Sequence, residues 1–264
     1  MIRHSRWAAL GAAIALMLVP ACQTNPETGR SGINLVPDSY MNSLGAQAYA
    51  EVKQTEKRST DQRLTAIVER VAGRITAAAG EQMEWEVTLV ESPQANAFVL
   101  PGGKIVVYTG ILPICQTEAA LAFVLGHEVG HAIARHGSER ASQTLIVQGG
   151  LTLADLSLGT GQNKELIMGV LGTGAQYGVL LPYSRAHESD ADHTGIRYMA
   201  RAGYDPRVAP DLWLRMGAQG QEPPEFSSTH PNSERRASDL QGLMKEAMEI
   251  YEKAPVKHGV GEAL

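Results

Sequence analysis

The chain has 264 residues, 44% of them hydrophobic and 19% charged, with a net charge of -5 and a pI near 5.9. That length holds one large domain with a real core and would cramp two, and the composition is that of a globular rather than a disordered protein. There is no overall basic field and no basic run interleaved with aromatics, so nucleic acid is not an expected partner.

Arg3 and Arg6 make a basic start, and Trp7–Val19 is an apolar run of 13 residues, short of the ~20 needed to span a bilayer. This is the pattern of a secretory signal peptide. It ends in VPAC, where Ala21 before Cys22 resembles a bacterial lipobox. Residues 1–22 are therefore expected to be a lipoprotein signal with Cys22 lipidated; ordinary cleavage with Cys22 incidental is the competing reading. Gln23 after the cysteine resembles an outer-membrane address, which gives an expected location in the periplasm, anchored by lipid to the outer membrane. Cys115 is the only other cysteine. A Cys22–Cys115 disulfide is the alternative, but the apolar ILPIC run favours a buried, inert thiol.

The stretch QTNPETGRSGINLVPDSY is rich in Asn, Pro, Gly and Ser and reads as an extended tether or arm within residues 23–45. DQRLTAIVERVAGRITAAAG then places Leu64, Ile67, Val68, Val71 and Ile75 at helical spacing, with Gly80 as a stop. EWEVTLVES alternates Trp85, Val87 and Leu89 as a strand with one buried face. NAFVLPGGKIVVYTG reads as two strands joined at Pro101-Gly102-Gly103, giving a sheet of at least three strands. TEAALAFVLGHEVGHAIARHG is a helix with Thr117 as its N-cap and Gly137 as its stop. Leu166–Ser184 carries no charge over 19 positions; its glycines, Gln176 and bracketing charges favour a helical segment packed on protein or lying against lipid over a membrane span. SRAHESDADHTGIRYMARAG and NSERRASDLQGLMKEAMEIYEK add two helices, which leaves residues 46–254 as one domain and 255–264 as a tail. Helices dominate and the strands cluster in the first half, so the fold class is α+β.

His127 and His131 stand four apart on the expected helix, so both project from one face and can meet one Zn²⁺ at ~2.0–2.1 Å. Glu128 is rotated about 100° from His127 and can reach a metal-activated water without being a ligand. Gly130 leaves room for close approach of a strand or substrate. A catalytic zinc needs a third protein ligand. His136, rotated about 140° from His131 on a continuous helix, does not suit that role and is read as a supporting residue. Glu188 in HESDAD, 57 residues after His131, supplies it from a second helix, and Asp192 on the same face can fix the tautomer of a ligating histidine. The alternative for this acidic cluster is a solvated helix start, where acids complement the dipole. His187 and His193 turn away from Glu188 and are read as structural. His230, in a loop before the last helix, is a candidate donor to the oxyanion of peptide hydrolysis.

The motifs TNPETGR, NAFVLPGGKIVVYTGIL, LGHEVGHAIARH, RAHESDAD and STHPNSERR, in this order over Thr24 to about Ala237, resemble the zinc peptidase family that includes HtpX, the CAAX prenyl proteases and the mitochondrial Oma peptidase. The likeness is greatest to its lipid-anchored periplasmic branch, typified by BepA and LoiP. The resemblance implies a helix-dominated gluzincin fold, with the small sheet packed on the HExxH helix. One Zn²⁺ per chain would be held by His127, His131 and Glu188, with Glu128 as general base. It also implies that His230 stabilises the transition state or swings to cap the metal, that Asp192 supports a ligand, and that Arg236 props the His230 loop. Members of that branch add helical repeats that do not follow here, which favours a compact enzyme over a partner-docking platform.

The resulting expectation is a zinc-dependent endopeptidase of the bacterial envelope acting on unfolded or misassembled periplasmic and outer-membrane proteins. Its substrate would lie extended beside Asn96, Ala97, Phe98 and Val99 and add its backbone as a strand. The rival reading is a chaperone-like assembly factor for outer-membrane proteins with a latent peptidase site, its partners being the assembly machinery and its binding surface Leu166–Ser184.

Overall fold

The computed structural model describes residues 22–147, 167–168, 184–218, 230 and 233–264. The expected signal segment before Cys22 lies outside them, as does most of Leu166–Ser184. Among the described residues no helix is long and apolar enough to cross a membrane.

The stretch expected to be an extended arm instead forms a small antiparallel hairpin of β1 (Cys22–Thr24) and β2 (Ser31–Ile33), and a helix starts within it, α1 (Asp38–Thr55). Met41, Leu44, Ala48, Tyr49 and Val52 form the buried face of α1. Gly45 and Ala48 complete that face with little or no side chain, so the stripe is faint in the sequence. Helix α2 (Gln62–Ala79) starts where Asp61 accepts the Leu64 amide at 2.9 Å and ends at Gly80, whose φ of 75° is the left-handed conformation expected of a glycine stop.

Three strands make the main sheet: β3 (Glu86–Val90), β4 (Ala97–Leu100) and β5 (Lys104–Tyr108), in the order β3-β5-β4. Strand β5 is central, parallel to β3 and antiparallel to β4, so β4 is an edge. Strand β3 buries Thr88 and Val90 as well as Leu89, which corrects the expectation of one buried face. The second face is covered by α1, whose Tyr49 hydroxyl lies 2.7 Å from that of Thr88.

A short helix, α3 (Leu112–Cys115), leads into α4 (Glu118–Ile133), capped by Thr117. Helix α4 is buried almost all round, the signature of a central helix rather than a surface one. Two of the amide donors that any helix start leaves unpaired are met by the C-terminal stretch: Glu118 and Ala119 donate to the carbonyls of Glu262 and Val260, each at 3.0 Å. Helix α4 ends at Ile133, four residues before the expected Gly137 stop. Arg135 takes a left-handed φ of 57° and a new helix, α5 (His136–Val147), begins at once. Helix α6 (Arg185–Arg201) crosses α4, followed by α7 (Ala209–Gly217) and α8 (Ser233–Lys253). The helix-dominated α+β architecture with its sheet against α4 is as the sequence implies.

The α4–α6 crossing is set by glycine. A Cβ on Gly195 would sit 2.7 Å from the His127 amide nitrogen, and one on Gly126 would sit 2.8 Å from the Gly195 carbonyl. Gly130 faces Thr194 on α6, which corrects the expectation that it makes room for a strand or substrate. Cys115 is fully buried and free, and burial pushes its thiol up to about 12, as expected of an inert thiol.

Candidate metal centre and substrate cleft

Helix α4 presents His127 and His131 one turn apart, and α6 brings Glu188 opposite them. All three are buried. The two Nε2 atoms are 3.0 Å apart; Glu188 Oε2 is 3.6 Å from His127 Nε2, and Oε1 is 3.4 Å from His131 Nε2. A tetrahedron with zinc–ligand bonds of ~2.0–2.1 Å has edges of about 3.3 Å, so this donor set fits a tetrahedral cation. His230 joins it: its Nδ1 lies 3.2 Å from His127 Nε2 and 2.9 Å from Glu188 Oε1, and the four potential donor atoms all fall within 4.8 Å of one another.

The protonation states suit metal ligation. Burial, then the Arg236 charge, holds the His127 imidazole well below its ordinary range, and burial does the same for His131. Burial opposes ionisation of Glu188, but His230, Arg236 and His131 together hold its carboxyl well below the usual range. Neutral imidazoles and one carboxylate are the forms a zinc site requires.

The tautomers follow from the neighbours. His127 Nδ1 lies 3.0 Å from Asp192 Oδ1. Arg236 also approaches this ring, with Nη2 3.1 Å from Nδ1, but its charge is already met by carboxylates: Nε to Asp192 Oδ2 at 2.7 Å, Nη2 to Oδ1 at 2.6 Å and Nη1 to Glu188 Oε2 at 2.5 Å. His127 Nδ1 thus lies between the Asp192 carboxylate and the Arg236 guanidinium, and donation from Nδ1 to Asp192 Oδ1 is the tautomer that turns the Nε2 lone pair to the donor group. Burial raises the Asp192 carboxyl while Arg236 pulls it down. Arg236 also stacks on Trp213 at 3.5 Å and reaches the His230 carbonyl at 3.4 Å.

His136 is brought back to His131 by the left-handed Arg135. The two Nδ1 atoms are 2.8 Å apart, and His136 Nε2 is 2.9 Å from Asp190 Oδ2. Burial works against ionisation of Asp190, but His136, Thr28 and Asn25 bring it down to about 2. A carboxylate only accepts, so His136 carries its proton on Nε2, its Nδ1 accepts from His131, and the His131 Nε2 lone pair faces the donor group. His187 is buried with Nε2 3.1 Å from Glu139, and half-buried His193 lies 3.5 Å from Glu246. Neither reaches the donor group.

Glu128 lies on the open side. It is buried, its Oε1 has no hydrogen-bond partner and stands 3.5 Å from His230 Nε2, and the Val99 amide donates to the carboxylate. Burial raises the carboxyl to about 7. A cleft of about 250 Å³ opens here, lined by Asn96, Ala97, Phe98 and Val99 of the β4 edge together with Glu128, His131 and His230.

Residues 58–244 match peptidase family M48. The chain belongs to that family. It is 36% identical over 241 residues to the mitochondrial metalloendopeptidase OMA1 of Schizosaccharomyces pombe, covering 88% of this chain and 69% of the relative. Against the mitochondrial metalloendopeptidase OMA1 of Arabidopsis thaliana it is 40% identical, covering 65% of this chain and 34% of the relative. Against the beta-barrel assembly-enhancing protease of Yersinia pestis it is 30% identical, covering 84% of this chain and 47% of the relative. The chain thus spans about half or less of the second and third of these. Family and relatives make this M48 protein a metalloendopeptidase that uses a divalent metal.

The expected periplasmic, outer-membrane location is overturned. The relatives matching at 36% and 40% identity are mitochondrial, while the beta-barrel assembly-enhancing protease matches at 30%. An apolar, Arg-containing start without acidic residues does not separate the two settings, because acid-poor, Arg-bearing starts also mark mitochondrial targeting segments.

The sequence missed Trp213, which supports Arg236, and the contacts of Asn25 and Thr28 with Asp190. TNPETGR was visible as a motif, but nothing local tells what lies opposite it across 165 residues.

Proposed function

We propose that this chain is a zinc endopeptidase in which His127, His131 and Glu188 hold the metal, Glu128 is the general base, and polypeptide lies extended along the β4 edge. The observation that carries this reading is Glu128: a buried carboxyl raised to about 7, with one oxygen lacking a hydrogen bond, facing the cleft beside the donor group. A base poised near neutral pH is what proton transfer from water at pH 7 calls for.

Bound at these donors, a divalent cation supplies Lewis-acid polarisation of water and of the scissile carbonyl. The chain's own residues do the rest. Glu128 takes a proton from water and delivers it to the leaving amine. Asp192 and His136 keep the ligand histidines in the tautomer that presents Nε2. The β4 edge, with Asn96 to Val99, pairs with substrate backbone more than with side chains, which suits unfolded polypeptides as the substrate class. His230 Nδ1 stands at the fourth corner of the donor group; in this reading it withdraws when a substrate takes that place and turns a ring N–H to the oxyanion. Arg236 holds the loop from which it moves.

The test is Glu128→Gln in the full chain. Zinc content should stay at that of the wild type while cleavage of a denatured polypeptide falls at least about 100-fold. Cleavage at the wild-type rate with zinc bound would remove Glu128 from the mechanism.

A further inference from the structure

The TNPETGR turn is unused by the proposed chemistry, yet it sits against the back of the donor group. Asn25 and Asp190 are 4% and 5% exposed, far below what a surface hairpin would give. Asn25 Nδ2 donates to Asp190 Oδ2 at 3.0 Å and to Thr194 Oγ1 at 3.2 Å, and the Thr28 hydroxyl donates to Asp190 Oδ1. The turn is built for this presentation. Asn25 Oδ1 accepts the Glu27 amide at 2.9 Å, the Gly29 amide returns to the Asn25 carbonyl at 2.9 Å, and Gly29 has φ 74°. Arg30 clasps Glu139 with two bonds of 2.9 and 2.8 Å, and Gly32 leaves the space: a Cβ there would stand 2.2 Å from Glu139 Oε2. Glu139 also meets His187, whose ring lies 4.4 Å from that of His136.

We propose that this turn is a positioning strap for His131, in which Asn25 and Thr28 orient Asp190, Asp190 fixes the proton of His136, and His136 fixes the tautomer and ring angle of His131. It rests on the reading of His131 as a metal ligand. The carboxylate of Asp190 can turn about its side chain unless both oxygens are held. Asn25 holds one and Thr28 the other, leaving one lone pair aimed at His136 Nε2. Without the strap the carboxylate and His136 are free to reorient, and the Nδ1–H of His131 loses its defined acceptor. Asn25, Thr28, Asp190 and His136 touch neither substrate nor metal; they act through His131.

The experiment measures zinc affinity of the full chain by competition with a chromophoric chelator. Asn25→Ala/Thr28→Val should weaken zinc binding about 10- to 100-fold, and Thr28→Ser should restore much of the loss in the Thr28→Val single variant. His136→Ala should lose at least as much, and adding the strap changes to His136→Ala should lose no more. Glu27→Gln loosens the turn's contacts with Arg197 and Arg201 without touching Asp190, and should bind zinc as the wild type does. Circular dichroism of the metal-free proteins identifies any variant that fails to fold; for the double variant, the single Thr28→Val then carries the measurement. Wild-type affinity in a folded strap variant, or the same strap loss with His136 already absent, overturns the proposal. His131→Ala binding zinc as tightly as the wild type would instead overturn the ligand assignment on which the strap depends.

Discussion

Glu128 is held where its environment opposes the charge its proposed role demands. Burial raises its carboxyl from 4.5 to about 7, so between these values the folded metal-free chain keeps a proton that the unfolded chain has lost. Stability then falls as pH rises through that window, by on the order of 3 kcal/mol. The buried histidines titrate with the opposite sign: their folded values lie below the ordinary 6.5, so acid destabilises through them. Glu128→Gln isolates the carboxyl. Urea unfolding of metal-free protein should show the variant gaining on the wild type from pH 5 to pH 8, by on the order of 3 kcal/mol. Parallel pH curves for the two proteins would mean that Glu128 titrates like an exposed carboxyl.

At the scale of elements, the distance between the two halves of the donor group is the distance between α4 and α6. Gly126 and Gly195 let the backbones touch, and that contact places Glu188 and Asp192 against His127. A methyl on Gly195 meets His127 backbone at 2.7 and 2.9 Å; backbone cannot rotate aside as a side chain does, so α4 must shift by several tenths of an ångström. Gly195→Ala should cost about 1–3 kcal/mol and weaken zinc, while Gly73→Ala, at a helical position with nothing within 4 Å, should be neutral or stabilising by up to about 1 kcal/mol. Thermal melts and chelator competition on both variants check this, and equal effects would show that the crossing tolerates a larger residue. The HExxH spacing made the ligand face of α4 legible, because four residues on a helix fix a geometry. The end of that helix was not legible. Arg135 is not a residue type that announces a left-handed φ, and an unbroken helix turned His136 away from His131 when the break returns it to within 2.8 Å.

At the scale of the whole molecule, local chemistry read true and long-range pairing did not. Gly80 and Thr117 act on residues three or four away, so the end of α2 and the start of α4 were visible. The parallel pairing of β3 with β5, the cover of α1 over the sheet and the docking of Asn25 on Asp190 depend on partners far along the chain, and no periodicity encodes them. The same long-range convergence concentrates ionisable groups in the core: Glu128, Glu188, Asp192 and Arg236 are all at most 4% exposed, three acids against one guanidinium, beside the imidazoles of His127 and His131 that burial keeps neutral. A divalent cation at the donor group would offset that excess in a medium of low dielectric, which predicts that bound metal contributes much of the folded state's stability. With free zinc at about 1,000 times its dissociation constant, linkage gives about 4 kcal/mol, which at about 2–4 °C per kcal/mol is roughly 8–16 °C in melting temperature. Chelation should lower the melting temperature of the wild type by that amount and leave His131→Ala nearly unmoved. If chelation lowered both proteins equally, the stabilising cation would lie elsewhere than at His127, His131 and Glu188.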